Sequence, residues 1–194
     1  MKKLEEYINI FLENKMDTTD IYNEFSLQHE LGIFLRNILP SNFKVEFERN
    51  AVSFFGMDKE NIVKKEIDIS VFNEDKTEKY AIELKFLQNG QYPESMYACV
   101  KDIKFMEQLK NHGFTNTFCL TIALEEGFYT SGAKKDGIYN YFREENRVYG
   151  KIDKPTGEKK EEDFIELEKD YPIEWLDIIL NDSEKKGKFY VIQI

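Results

Sequence analysis

Lys65-Glu66-Ile67-Asp68-Ile69-Ser70-Val71 and Tyr80-Ala81-Ile82-Glu83-Leu84-Lys85-Phe86 decide the reading of this chain. Both stretches alternate apolar and polar residues, and Asn73-Glu74-Asp75-Lys76-Thr77 between them is a polar turn. Successive strand side chains point to opposite faces, so Ile67, Ile69 and Val71 share one face and Asp68 takes the other. Ile82, Leu84 and Phe86 likewise oppose Glu83 and Lys85. A hairpin pairing the two strands brings Asp68, Glu83 and Lys85 onto one surface. Two carboxylates beside an ammonium suit a hard divalent cation and the water it activates.

Helical spacing precedes the hairpin. Leu4, Ile8, Phe11 and Leu12 place an amphipathic N-terminal helix within residues 1–15, and Asn23 to Leu39 reads as a longer one ended by Pro40. Its apolar stripe is Leu27, Leu31, Phe34, Leu35, Ile38 and Leu39, and Glu30 borders that stripe. Phe43-Lys44-Val45-Glu46-Phe47-Glu48 alternates as a half-buried strand. After the hairpin, Asn89-Gly90-Gln91-Tyr92-Pro93 breaks the pattern and a helix runs to about His112, with Gly113 as its stop. Thr117–Leu124 is a continuous apolar run, as expected of a strand covered on both faces. The remainder, 137–194, reads as a β-rich extension in which 137–143 pairs with 147–153. No second domain boundary is visible, so 1–194 reads as one domain with its core at about 23–124.

The succession of a helix with Glu30, a strand, a strand with Asp68, a strand with Glu83 and Lys85, a helix and a buried strand resembles the PD-(D/E)xK phosphodiesterase superfamily, the restriction-endonuclease-like nucleases. The matching motif is Asp68, fourteen residues, then Glu83-Leu84-Lys85; Ile67 stands where many members have proline. The resemblance implies an α/β fold with an αβββαβ core, a central mixed sheet flanked by helices. It implies Mg²⁺ or Mn²⁺ held by Asp68, Glu83, the Leu84 carbonyl and Glu30, with Lys85 beside the attacking water. The implied activity is phosphodiester hydrolysis in nucleic acid, DNA rather than RNA, and a homodimer is a common arrangement in such enzymes. Lys101, Lys104 and Gln108 on the second long helix, Lys134 and Lys135 in the following loop, and Gln91 at the site mouth are candidate nucleic-acid contacts.

Composition bounds these expectations. Of 194 residues, 41% are hydrophobic and 33% charged, as in a globular chain with a sizeable core. No apolar run approaches the ~20 residues that span a bilayer, and two cysteines without Cys/His clustering fit a reducing cytoplasm and no zinc site. The net charge of −10 opposes non-specific nucleic-acid binding, which needs Lys and Arg. That acidity is uneven: residues 158–186 hold eleven acids and five bases, whereas 61–157 hold fifteen acids and fourteen bases. Two other classes therefore stand beside the nuclease: a protein of the same fold that binds nucleic acid or a partner protein without cutting, and an unrelated α/β interaction protein whose hairpin is simply wet.

Overall fold

The computed structural model describes residues 4–60, 62–130, 132, 134–157, 163–180 and 185–194. Residues 1–3 of the expected first helix, and Ser131 and Ala133 of the lysine-bearing loop, lie outside the described residues. The helix α1 (Leu4–Asn14) is followed by α2 (Glu24–Ile38), β1 (Phe43–Asn50), a short α3 (Ala51–Phe55), β2 (Glu66–Asn73) and β3 (Lys79–Leu87). Then come α4 (Tyr92–Asn111), β4 (Asn116–Ala123), α5 (Ile138–Arg143), the short strands β5 (Arg147–Val148), β6 (Lys151–Asp153), β7 (Phe164–Glu166) and β8 (Tyr171–Pro172), and finally β9 (Leu176–Leu180) and β10 (Lys185–Gln193).

The fold is α/β. Six strands form one mixed sheet in the order β1-β2-β3-β4-β10-β9. Neighbours are antiparallel except β3 and β4, which run parallel because α4 carries the chain back across one face. α1 and α2 cover the opposite face. Leu27, Leu31 and Leu35 of α2 are fully buried with Ile69, Val71, Ile82, Leu84 and Phe86 of the hairpin. Each such side chain contributes about 1.5–3 kcal/mol of burial. Gly32 lets α2 lie close to the sheet, since a β-carbon there would overlap the Phe47 ring.

Three sequence expectations change here. The hairpin's polar face is covered, not wet: α4 packs on it through Cys99, Ile103 and Met106, beside Ala81 and Cys119. Ile67 joins that α4-side cluster instead of sharing a surface with Ile69 and Val71, so the alternation breaks at Asp68. Residues 138–143 form α5, not a strand, because Ile138 and Phe142, one helical turn apart, are its buried pair. Among the described residues, six strands follow α5, and the last two are part of the central sheet, with β10 pairing β4.

Candidate functional site

The site forms where two strands part. The β2–β3 ladder runs Phe72–Lys79, Val71–Tyr80, Ser70–Ala81 and Ile69–Ile82, and the next opposed positions are Asp68 and Glu83. There, side chains take over from backbone pairing. The Leu84 N–H donates to Asp68 Oδ2 at 2.8 Å, and the Asp68 N–H donates to Glu83 Oε1 at 3.3 Å. On the other side of Asp68, the β1–β2 register omits the Glu48–Asp68 pair, and Glu48 takes a φ of 51°. Gln28 of α2 fills that gap, donating to the Asp68 carbonyl at 2.7 Å and to Glu48 Oε1 at 2.6 Å.

Further charged groups reach these carboxylates from α4 and from the coil before β2. Glu83 is 1% exposed and Asp102 of α4 is 5% exposed. The Lys64 ammonium contacts Glu83 Oε2, lies 3.4 Å from Asp68 Oδ1 and 3.5 Å from Asp102 Oδ1. The Lys85 ammonium donates to the Leu84 carbonyl at 2.9 Å, lies 3.1 Å from Asp102 Oδ2 and 3.6 Å from Glu24 Oε1. Glu24 opens α2, whose start is set by a reciprocal capping box between Asn23 and Ser26, and it also accepts the Phe86 N–H at 3.3 Å. Four carboxylates thus share two ammonium groups.

This excess of acid governs the electrostatics. Burial pushes the Glu83 carboxyl well above the usual carboxylate range, and Asp68 and Asp102 add to the rise against the opposing pull of Lys64. Burial also raises Asp102 and Glu24, with Lys85 working against the rise in both. Burial opposes charging of Lys64 and Lys85, yet the surrounding carboxylates outweigh it, so both ammonium groups are held more firmly than usual. A hollow of about 220 Å³ opens beside the cluster, lined by Glu24, Phe25, Gln28, Glu48, Asp68 and Leu84. Phe25 stands on its rim 72% exposed.

Asp68, Glu83 and Lys85 are therefore brought together with both polar groups of Leu84. Glu30 is not. Its carboxylate meets His29 Nδ1 at 3.4 Å, whereas Glu24 and Gln28, one turn apart on a different side of α2, are polar side chains that bond the hairpin. The expected nucleic-acid contacts are dispersed or engaged. Lys104 lies 3.1 Å from Glu107 and 3.0 Å from Glu168, Gln108 accepts the Val63 N–H at 3.0 Å, and Lys135 pairs with Glu144 at 3.1 Å. Lys101 and Gln91 are exposed, and the Lys134 ammonium sits 6.0 Å from the Tyr139 ring.

The sequence reading passes over Lys64, Asp102, Glu24 and Gln28. Asp102 had a usable signal, since it falls three residues after Cys99 and four before Met106, within the buried stripe of α4. Among the described residues, no group of three or more His, Cys, Asp or Glu side chains stands arranged to hold a metal ion. The position facing Asp68, Glu83 and Asp102 is taken by the Lys64 ammonium. Asp68 Oδ1, Glu83 Oε2 and Asp102 Oδ1 thus face one point, and that point is held by an ammonium group.

Cys99 and Cys119 are buried free thiols, and burial pushes Cys99 up to about 11, which keeps it inert. No helix of the described residues is long and apolar enough to cross a membrane. Comparison with protein-family models, curated proteins and solved structures returns no match.

Proposed function

We propose that this chain is a divalent-metal-dependent phosphodiesterase that cleaves nucleic acid, DNA rather than RNA, on a restriction-endonuclease-like core. One observation carries the reading: Asp68 and Glu83, opposed on parting strands, face a single positive charge, with the Lys85 ammonium bound to the intervening Leu84 carbonyl. The succession α2-β1-α3-β2-β3-α4-β4, with β3 parallel to β4, supports it.

Asp68 and Glu83 would hold Mg²⁺ or Mn²⁺, and the Leu84 carbonyl, with a second lone pair free of Lys85, stands beside them. Bound there, the ion would acidify a water and neutralise charge on the scissile phosphate. The chain's own residues account for the rest. Asp102 and Glu24 keep Lys85 charged and aimed, so its ammonium stabilises the negative charge that grows on the phosphate as water adds to phosphorus and the leaving-group P–O bond breaks. The Leu84 N–H and the Gln28 amide lock the strand at Asp68, which keeps the carboxylate from swinging into solvent. Phe25, exposed on the rim of the hollow, offers a flat surface to a base next to the reacting phosphate.

Lys64 favours a second reading: a protein of the same fold that neutralises its acids internally and binds nucleic acid or a protein without cutting. Incubation of the purified chain with single- and double-stranded DNA and RNA, in Mg²⁺, Mn²⁺ or EDTA, separates the two. The nuclease reading expects EDTA-sensitive cleavage that is lost in Glu83→Ala and Lys85→Ala. Cleavage that survives both substitutions would sink it, and binding without cleavage in any metal would favour the second.

A further inference from the structure

We infer that Lys64 is a resident counter-ion that occupies the divalent position and is displaced when the cation binds. The inference rests on the metal-site reading above and says how that site is controlled. Carboxylates from three separate elements, Asp68 on β2, Glu83 on β3 and Asp102 on α4, converge on this one ammonium. Nothing in the proposed chemistry needs it there, because Lys85 already supplies the stabilising charge.

The physical argument is one of competition. Three buried like charges at one point repel, and a chain lacking a cation there would hold them only at high cost. A lysine ammonium is a compact point charge on a flexible stem, so it can fill the position and also leave it. A doubly charged ion offsets more of the acid than a single ammonium does. Two occupants of one position exclude each other, so each must weaken the other's hold by the same factor.

The mount of Lys64 permits departure. It lies in the coil between α3 and β2, outside the sheet ladder, and its side chain is 26% exposed. The backbone on either side of Lys64 is anchored, by the Ala51 N–H to the Lys65 carbonyl at 2.7 Å and the Val63 N–H to Gln108 Oε1 at 3.0 Å, so the freedom lies in the long side chain. Leaving the site thus asks for rotation of the Lys64 side chain toward solvent, not for opening of the sheet.

The test is Mn²⁺ binding by calorimetry to the wild-type chain and to Lys64→Met, which keeps much of the stem and removes the charge. The expected result is one Mn²⁺ per chain in both, bound about tenfold or more tightly by Lys64→Met. Equal or weaker binding by Lys64→Met, with wild type still binding, would overturn the inference and leave the metal site standing. No Mn²⁺ binding by either would overturn both. Should Lys64→Met fail to fold, amide hydrogen exchange on the wild type decides: Mn²⁺ should speed exchange at 62–65 while slowing it at Asp68 and Leu84. Unchanged or slower exchange at 62–65 in a metal-bound chain would count against displacement.

Discussion

Two buried carboxylates on this fold receive opposite treatment. Glu107, on α4, is saturated with donors: its Oε1 accepts the Glu168 N–H at 2.8 Å, the Lys169 N–H at 3.2 Å and the Tyr171 hydroxyl at 2.9 Å, and its Oε2 meets the Lys104 ammonium at 3.1 Å. Glu83, on β3, sees one backbone N–H and one ammonium that it must share with two further acids. The first arrangement is what a stabilising buried charge requires, with every oxygen paired. It also has an evident job, since it clamps residues 168–171 onto α4. The second leaves negative charge over, and a fold has no reason to keep such a cluster for stability alone. That difference separates a structural carboxylate from a candidate reactive one.

The contrast can be broken most forcefully at the hairpin. Glu83→Gln preserves shape and relieves the crowding of acids, so the fold should survive while metal-dependent cleavage falls by about a hundredfold or more. Circular dichroism and a cleavage assay on the same preparation check this, and full activity in Glu83→Gln would remove Glu83 from the chemistry. Glu107→Ala should do the reverse. Stranding two backbone N–H groups and a phenol should cost about 3 kcal/mol in urea unfolding, with Mn²⁺ affinity unchanged in the folded fraction. If Glu107→Ala proved neutral, the clamp would be no more than a surface contact.

Acidity sharpens the comparison further. Because burial and two neighbouring acids raise Glu83 above 4.5, the folded chain holds that proton at pH values where the unfolded chain has lost it. Without metal, the Glu83 contribution to stability should therefore decline as pH rises from about 4.5 to its folded value, opposite to a salt-bridged surface acid. Urea midpoints in EDTA should show this decline in wild type and its loss in Glu83→Gln. The smallest effect belongs to Lys104→Met, which removes the ion pairs to Glu107 and Glu168 at the edge of the clamp and should cost about 1 kcal/mol by the same urea titration.

How far the sequence carried this reading depended on range. The opposition of Asp68 and Glu83 was legible because a polar turn and two alternating runs set the hairpin register locally. The companion charges were not, because Lys64 comes from coil and Asp102 from a helix whose packing face is decided by the whole sheet. Glu30 borders the apolar stripe and so draws attention in the sequence, and only the direction in which α2 crosses the hairpin shows that Glu24 is the glutamate that reaches Lys85. In α5, Tyr139, Tyr141 and Phe142 weigh toward a strand, but the burial of Ile138 and Phe142 overrides that preference. Spacing likewise shows which helix face Lys104 occupies, not that Glu107 and Glu168 already hold it.

The central claim is that Asp68 and Glu83 form a divalent-cation site. Its most direct test is Mn²⁺ calorimetry on wild type and Asp68→Asn, each verified as folded. The account predicts one bound Mn²⁺ per wild-type chain and loss of that binding in Asp68→Asn. A wild-type chain that binds no Mn²⁺, or an Asp68→Asn chain that binds it equally well, would contradict the account.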